Sequence, residues 1–381
     1  MSKLRVLFFG GFVSPSADYK ASDAIGYGIT TAGALVDGLP RLGIDVTPVR
    51  PRLPARLRDL ERRRLAWILG GYRALLDLPL EKFDALFIFH AFQHFPPEMR
   101  RLLFDLRARL PIVGYTQGSH WDPTDTYRFE HYPGMEVADL ANLLSMDRVL
   151  LPTEYMRSVL LRNVGAWQPD AARALEGRLA VVGLPINTAL MDACFTREKL
   201  PRPTIVFNHS IIPAKDPQLF AQTVDHMLSH HDVNVVVTRD IPPGPFRETF
   251  RRLSERHPGH VRLEGTLPLE DYYRLLWMAD FQVSTATHES FGVSTVEAMY
   301  TRNCCLLPNR CSYPEVTSGY EDVLYSSPEE LVEKLDYFIR HEDERRRAAD
   351  RLHDESLRYA ADQVVPRVAQ VIREVVLEKE G

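Results

Sequence analysis

The residues best suited to chemistry lie in one stretch, HESFGVSTVEAMYTRNCCLLPNRCSYPEV, at His288–Val316. Glu289 precedes a predicted helix, and Glu297 lies inside it, eight positions later. Between them Gly292 allows close approach to backbone N–H groups at the helix start, where an anion binds favourably. Two carboxylates around an anion site suit a ligand with hydroxyl groups at both ends and phosphate in the middle. That describes a nucleotide sugar, with Glu289 accepting hydrogen bonds from sugar hydroxyls and Glu297 from the ribose diol.

Short apolar runs and the helices between them must position these residues. The runs in the second half of the chain show no strict alternation, as expected of a parallel sheet covered on both faces. The predicted strands are Thr204–Asn208, Val233–Thr238, Val261–Glu264, Phe281–Ser284 and Cys304–Leu307, and the predicted helices include Asp216–Leu228, Leu269–Met278 and Val293–Tyr300. This alternation predicts a Rossmann-like domain whose ligands lie beyond the carboxyl ends of the strands.

The first half of the chain shows the same alternation. Its predicted strands are Leu4–Phe9, Ala85–His90, Ile112–Tyr115, Arg148–Leu151 and Leu179–Val182, and its predicted helices are Thr30–Leu42, Glu98–Arg109, Glu136–Ser145 and Glu154–Arg162. The fold class is therefore predicted as α/β with two Rossmann-like domains. Three helices are predicted at the C-terminus, at Pro328–Arg340, Glu342–Arg358 and Ala361–Glu378. The last carries a stripe of valines and must bury that face.

The domain boundary is predicted in Gly183–Pro203, which contains prolines and lacks a clear period. The predicted domains are residues 1–185 and 204–360, with a hinge linker at 186–203. Two such domains would face a cleft, and a cleft between domains is a common ligand site.

Composition and charge exclude several classes of protein. The 381 residues fit two or three domains, and 45% hydrophobic with 25% charged residues is typical of globular chains. The 46 Lys and Arg against 51 Asp and Glu leave a net charge of −5, so a nucleic acid would need a local basic patch. No secretory signal or membrane-spanning stretch is apparent, and the four cysteines lack metal-ligand spacing. A cytoplasmic protein with buried free thiols is predicted.

The string E-S-F-G-V-S-x-x-E-A-M, following a predicted strand and opening a helix, resembles the donor motif of retaining glycosyltransferases of the GT-B fold, family-4 type. Further resemblances are Gly183–Phe195 to the interdomain link, Glu264–Asp280 to the lead-in to the donor strand, and Tyr313–Val316 to the segment after it. The resemblance implies transfer of a hexose from a nucleoside diphosphate sugar to an acceptor hydroxyl, without a protein nucleophile, cofactor or metal. It also implies that the C-terminal helix, residues 361–381, crosses back to the N-terminal domain.

The resemblance assigns further residues to the donor site. The motif residues implied to bind the donor, besides the two glutamates, are His288, Ser290, Phe291, Gly292, Val293 and Ser294. Lys215 occupies the position of a lysine that neutralises the donor diphosphate, while Ser210 stands where the family has an arginine. Arg239, at the end of the next strand, is a candidate to replace that arginine through a bidentate contact. His209 is interpreted as a loop histidine bonded to the backbone.

In the N-terminal half the resemblance points to loops at the strand ends. Gly10 and Gly11 begin a glycine-containing loop that would lie against the donor phosphate. The family has a sugar-contacting histidine after the third strand, where Gln117 is the positional match and His120 the chemical one. The acceptor-site candidates, which lie in loops at strand ends, are His90, His94 and Gln117, with a structural role as the alternative. His90 and His94 lack a third ligand nearby, so a metal site is rejected.

An arginine-rich stretch, Arg50–Arg64, holds seven arginines against Asp59 and Glu61. It is interpreted as a solvated helix face or as a patch for an anionic acceptor, such as tRNA, a phosphorylated or lipid-linked intermediate, or a membrane surface. A small natural product is a further acceptor class. The motif also partly resembles enzymes that mannosylate queuosine in tRNA. The alternatives left open are a GT-B sugar-nucleotide epimerase and a non-catalytic nucleotide-sugar-binding protein.

Overall fold

The computed structural model describes residues 3–10, 27–49, 60–125 and 134–380. The described residues up to Pro185, together with the helix that begins at Ala361, form one compact unit. Ile186–Ala360 form the second. Each unit has its own six-stranded, all-parallel sheet, so the predicted α/β class with two Rossmann-like domains is confirmed.

The first sheet has the strand order β2-β1-β3-β4-β5-β6. Its strands are β1 (Leu4–Phe9), β2 (Ile44–Pro48), β3 (Ala85–Ile88), β4 (Ile112–Tyr115), β5 (Arg148–Leu151) and β6 (Leu179–Val181). The helices of this unit are α1 (Tyr27–Gly38), α2 (Leu60–Asp77), α3 (Ala91–His94), α4 (Pro96–Asp105), α5 (Met135–Leu144), α6 (Glu154–Trp167) and α7 (Pro169–Glu176), with 3-10 turns at Leu39–Leu42 and Leu80–Lys82. The central strands β3 and β4 are buried along their whole length, because helices cover both faces of the sheet.

The second sheet has the order β12-β11-β10-β7-β8-β9. Its strands are β7 (Thr204–Phe207), β8 (Asn234–Val237), β9 (Val261–Leu263), β10 (Phe281–Val283), β11 (Cys304–Pro308) and β12 (Leu324–Tyr325). Its helices are α8 (Thr188–Ala193), α9 (Pro217–His230), α10 (Pro245–Arg256), α11 (Leu269–Met278), α12 (Val293–Tyr300), α13 (Tyr313–Val316), α14 (Pro328–Arg340) and α15 (Glu342–Ser356), with 3-10 turns at Pro213–Lys215, Glu321–Val323 and Leu357–Tyr359.

The last helix, α16 (Ala361–Glu380), packs on the first unit. Its valine stripe is buried; the members are Val364, Val365, Val368, Val371, Val375 and Val376. Arg367 donates to the carbonyl oxygen of Val182 at 3.0 Å. The helix therefore returns to the N-terminal part of the chain, as the sequence implied.

Several strands and helices of the structure were not predicted from the sequence. Strand β2 includes Asp45 and Thr47 and is only half-buried, so it has no apolar run. Helix α8 lies inside the segment predicted as a hinge linker, and the side chain of Asn187 caps it by accepting from the Leu190 N–H at 3.2 Å.

Each sheet reverses its strand order at one point, and there the carboxyl ends of two strands open a crevice. In the first sheet this point lies between β1 and β3, and in the second between β7 and β10. These ends position the candidate residues.

Candidate functional site

Lys215 and Glu289 form a nearly buried ion pair beside the carboxyl ends of β7 and β10. The Lys215 ammonium lies 2.8 Å from Glu289 Oε2 and also donates to the His288 carbonyl oxygen at 3.0 Å. Their side chains are 15% and 14% exposed. Burial alone would raise the pKa of Glu289, but the charge and hydrogen bond of Lys215 outweigh it and hold that pKa below its usual value. Glu289 is therefore ionised near neutral pH.

The backbone around Lys215 is held by the loop after β10. The Thr285 hydroxyl donates to the carbonyl oxygens of Lys215 and Asp216, each at 2.8 Å, and the Thr287 N–H donates to the Ala214 carbonyl oxygen at 2.9 Å. Asp216 has a positive φ of 39° and caps α9 by accepting from the Leu219 N–H at 3.1 Å. These hydrogen bonds fix the backbone from which the Lys215 side chain extends.

Gly292 makes the start of α12 possible. It has φ 86° and ψ 58°, a left-handed conformation that favours glycine, and a Cβ there would lie 3.3 Å from Glu289 Cγ. The first N–H groups of α12, including those of Val293 and Ser294, have no partner within the helix, as at every helix start. These N–H groups adjoin the Lys215–Glu289 pair, where an anion site is predicted from the sequence.

Glu297 is held by two tyrosines from α11. Its Oε1 accepts from the Tyr273 hydroxyl at 2.9 Å and its Oε2 from the Tyr272 hydroxyl at 3.2 Å. The residue is 4% exposed, and burial raises the pKa of its carboxyl to about 7, against the opposing effect of the two hydroxyls and Arg239. Glu297 therefore titrates near neutral pH, unlike Glu289.

A buried network of amides and a histidine links Glu297 to the helix start. Asn208 Nδ2 lies 3.1 Å from the Tyr272 hydroxyl and 2.9 Å from the Ser294 carbonyl oxygen. Gln282 Nε2 lies 3.3 Å from Asn208 Oδ1 and 2.9 Å from His209 Nε2, and His209 Nδ1 lies 3.2 Å from Ser294 Oγ. The expectation that His209 bonds the backbone is wrong, because these ring contacts are with side chains.

The remaining donor candidates occupy different environments. Arg239 follows β8 and donates from Nε to the Asn208 carbonyl oxygen at 3.4 Å, within electrostatic reach of Glu297. Ser210 is exposed. Phe291 is 1% exposed and its ring meets that of Tyr359 edge-on at 4.9 Å, so the ring packs in the core. His288 and Ser290 are half-buried in the loop before α12.

In the first unit, candidates from β1, β3 and β4 come together at the switch point. His94 Nε2 lies 2.7 Å from the Gly10 carbonyl oxygen, and Gln117 donates from Nε2 to the Phe89 carbonyl oxygen at 3.0 Å. His94 ends α3 and is 1% exposed, and burial lowers its pKa to about 4. The prediction that His94 lies in a loop is therefore wrong, because it ends a short helix. His90 is half-buried.

His120 is paired with a carboxylate that sequence analysis did not select. Its Nδ1 lies 3.7 Å from Asp139 Oδ2, which also accepts from the His120 backbone N–H at 3.0 Å and the Ser119 hydroxyl at 2.8 Å. His120 is 7% exposed and Asp139 1%. The loop after β4 is thus fastened to α5.

Some candidates lie outside the described residues. These are Gly11 and residues 50–59 of the arginine-rich stretch; its continuation enters α2, where Arg62 is exposed. Among the described residues no group of three or more His, Cys, Asp or Glu could hold a metal ion. No described helix is long and apolar enough to cross a membrane.

Comparison with known proteins bears directly on this site. Residues 195–352 match the family model described as "Glycosyl transferases group 1". This range includes Lys215, Glu289 and Glu297. This part of the chain is therefore similar to group 1 glycosyltransferases. The chain is also 25% identical over 267 residues to the tRNA-queuosine alpha-mannosyltransferase of Drosophila melanogaster, a match that covers 64% of this chain and 69% of the fly protein.

Solved structures match this chain over nearly its whole length. Sucrose-phosphate synthase from Thermosynechococcus elongatus superposes with a TM-score of 0.73 at 11% identity, covering 98% of this chain and 100% of that one. Trehalose 6-phosphate synthase from Burkholderia multivorans gives 0.70 at 11% identity, covering 99% and 100%. These similarities confirm the predicted GT-B fold.

Proposed function

We propose that the protein transfers a hexose from a nucleoside diphosphate sugar to an acceptor hydroxyl with retention of anomeric configuration. The observation that carries this proposal is the Lys215–Glu289 ion pair at the start of α12. A cation, a row of helix N–H groups and a carboxylate adjoin there. The cation and the N–H groups suit a diphosphate, and the carboxylate suits the sugar hydroxyls of the same ligand.

Lys215 and the helix start would stabilise the leaving group. In the proposed step the bond between the anomeric carbon and the diphosphate oxygen breaks, and the acceptor oxygen bonds to the same face. The acceptor proton passes to the departing diphosphate oxygen. Charge therefore grows on the diphosphate, and fixed donors aimed at it lower the barrier. No protein nucleophile or metal is assigned a step.

The two carboxylates would orient the ends of the donor. Within the described part of the chain only Oε2 of Glu289 is bonded, which leaves Oε1 for a sugar hydroxyl. Glu297, once ionised, would accept from the ribose diol. Arg239, within reach of Glu297, would offer the positive charge that Ser210 does not supply.

For the acceptor we propose queuosine in tRNA. The support is the named activity of the Drosophila relative, and the arginines of Arg50–Arg64 would suit a polyanion. His120 and Gln117, in the loop after β4, and His90, after β3, are the proposed residues on the acceptor side.

The test is a panel of nucleoside diphosphate sugars with queuosine-containing tRNA. Nucleoside diphosphate release and the anomeric configuration of the product would be measured. We expect one sugar nucleotide to react with retention, Lys215→Met to lower turnover about a hundredfold, and the exposed Lys82→Met to leave it unchanged. Inverted product would refute the retaining mechanism. Free epimerised sugar nucleotide without acceptor would indicate an epimerase, and binding without turnover a nucleotide-sugar-binding protein.

A further inference from the structure

The hydrogen bonds around Asn208 have a fixed direction. The Ser294 carbonyl oxygen can only accept, so the group 2.9 Å from it must be the Asn208 NH2. The second hydrogen of that NH2 then points to the Tyr272 hydroxyl, which itself donates a hydrogen bond to Glu297. Oδ1 of Asn208 is consequently an acceptor.

This direction sets the orientation of Gln282. Its Nε2 donates to Asn208 Oδ1 at 3.3 Å and to His209 Nε2 at 2.9 Å. The reverse orientation would oppose two amide oxygens and leave a buried NH2 facing no acceptor. In the orientation present, both Gln282 Nε2 hydrogens have acceptors, and Gln282 Oε1 has no hydrogen-bond partner among the described residues. Leaving one acceptor unbonded costs less than an oxygen–oxygen contact together with two unbonded donors.

The imidazole of His209 is therefore restricted to one tautomer. Burial, aided by the charge of Lys215, lowers the pKa of His209 to about 3, so the ring is neutral and has one N–H. Because Nε2 accepts from Gln282, the proton is on Nδ1. Nδ1 lies 3.2 Å from Ser294 Oγ, which must accept.

We propose that His209 is a positioning residue that turns the Ser294 hydroxyl into a hydrogen-bond donor for the anion bound at the start of α12. Ser294 lies in the first turn of that helix and is half-buried. With its oxygen accepting from His209, its own proton points away from the ring, toward the diphosphate. The inference rests on the proposed function, since it assumes that a diphosphate binds there. It gives the site a neutral donor near the place where Ser210 replaces the family's arginine.

The first test requires no ligand. Nitrogen-15 spectra of histidine-labelled protein distinguish the two neutral tautomers, and His209→Phe assigns the signal. We expect Nδ1 protonated in the parent. In Gln282→Glu we expect Nε2 protonated instead, because a carboxylate at 282 accepts. An Nε2–H tautomer in the parent would overturn the proposal.

The second test is a double-mutant cycle with inorganic pyrophosphate, UDP and GDP in calorimetric titrations. A hydrogen bond to a charged group predicts that His209→Phe and Ser294→Ala each weaken affinity about tenfold or more. The double variant should be no weaker than Ser294→Ala alone. His260→Phe, in the same unit with its ring bonded to the Val233 carbonyl oxygen, is the matched control and should bind like the parent.

The outcomes separate the two proposals. Additive losses in the cycle would overturn the role of His209 and leave the donor site intact. Failure of the parent to bind any of the three probes would overturn the proposed function, and the inference with it. The tautomer measurement still stands if the double variant fails to fold.

Discussion

The titration of Glu297 makes the clearest prediction. Its carboxyl is buried between Tyr272 and Tyr273, and burial raises its pKa to about 7 from an ordinary value of 4.5. Only the ionised form can accept both hydroxyls of a ribose in addition to the tyrosine hydrogen bonds. Nucleotide affinity should therefore rise with pH, and Glu297→Gln should remove that rise.

The magnitude follows from the ionised fraction. With a pKa near 7, about a tenth of the carboxyl is ionised at pH 6 and about nine tenths at pH 8. If the ionised form alone binds ribose, affinity should increase about tenfold over this interval, which is about 1.4 kcal/mol. Titrations of the parent and Glu297→Gln with the same nucleoside diphosphate would isolate this effect, because the ligand's own phosphate titration is common to both.

The free energy of unfolding should fall as pH rises, in contrast to the nucleotide affinity. The folded state holds the Glu297 proton more tightly than the unfolded state, so this contribution is present below pH 4.5 and is lost as pH rises through about 7. Chemical denaturation of the parent should show an extra loss of up to about 3 kcal/mol between pH 4 and pH 8 relative to Glu297→Gln. Equal pH dependence of the two proteins, in binding and in unfolding, would refute the reasoning.

Three substitutions test other parts of the site. Lys215→Ala should lower kcat about a hundredfold while changing the donor Kd less, because charge on the diphosphate grows in the transition state; equal rates would contradict this. Gly292→Ala should lower the free energy of unfolding by about 1–2 kcal/mol, since its φ is 86°. Gly177→Ala, at φ −71° with no atom within 4 Å of its Cβ, is the matched control and should not destabilise. Tyr273→Phe should lower the free energy of unfolding by about 1–3 kcal/mol and raise the pKa of Glu297 further, because it removes the 2.9 Å hydrogen bond to that carboxylate. An unchanged Glu297 titration would argue against that bond.

Much of the fold could be predicted from the sequence because buried parallel strands have continuous apolar runs. Strands β1, β4 and β5 and helices α11, α12 and α14 have the predicted limits. Strand β2 and the two-residue strand β12 were not predicted, because each lacks a run of buried apolar residues long enough to detect. Short helices such as α8 depend on a cap and on tertiary packing rather than on a periodic stripe.

The site was predictable only where a local motif existed. The stretch around Glu289 and Glu297 has its own spacing, and Lys215 has a recognisable position after β7. Tyr273 and Gln282 gave no local signal, because their partners are 24 and 73 residues away in the chain. Which partner a buried polar group finds is decided by strand order and packing, and these lie beyond what a window of sequence contains.

The polar groups around the start of α12 are bonded to one another before any ligand arrives, with Lys215 on Glu289 and two phenol groups on Glu297. At Lys215 and Glu297 a sugar nucleotide must therefore exchange hydrogen bonds rather than add them, and each such contact yields less net free energy than its geometry suggests. A donor that lacks one hydroxyl would interrupt an internal bond and offer no replacement. We therefore expect modest affinity combined with sharp discrimination between sugars.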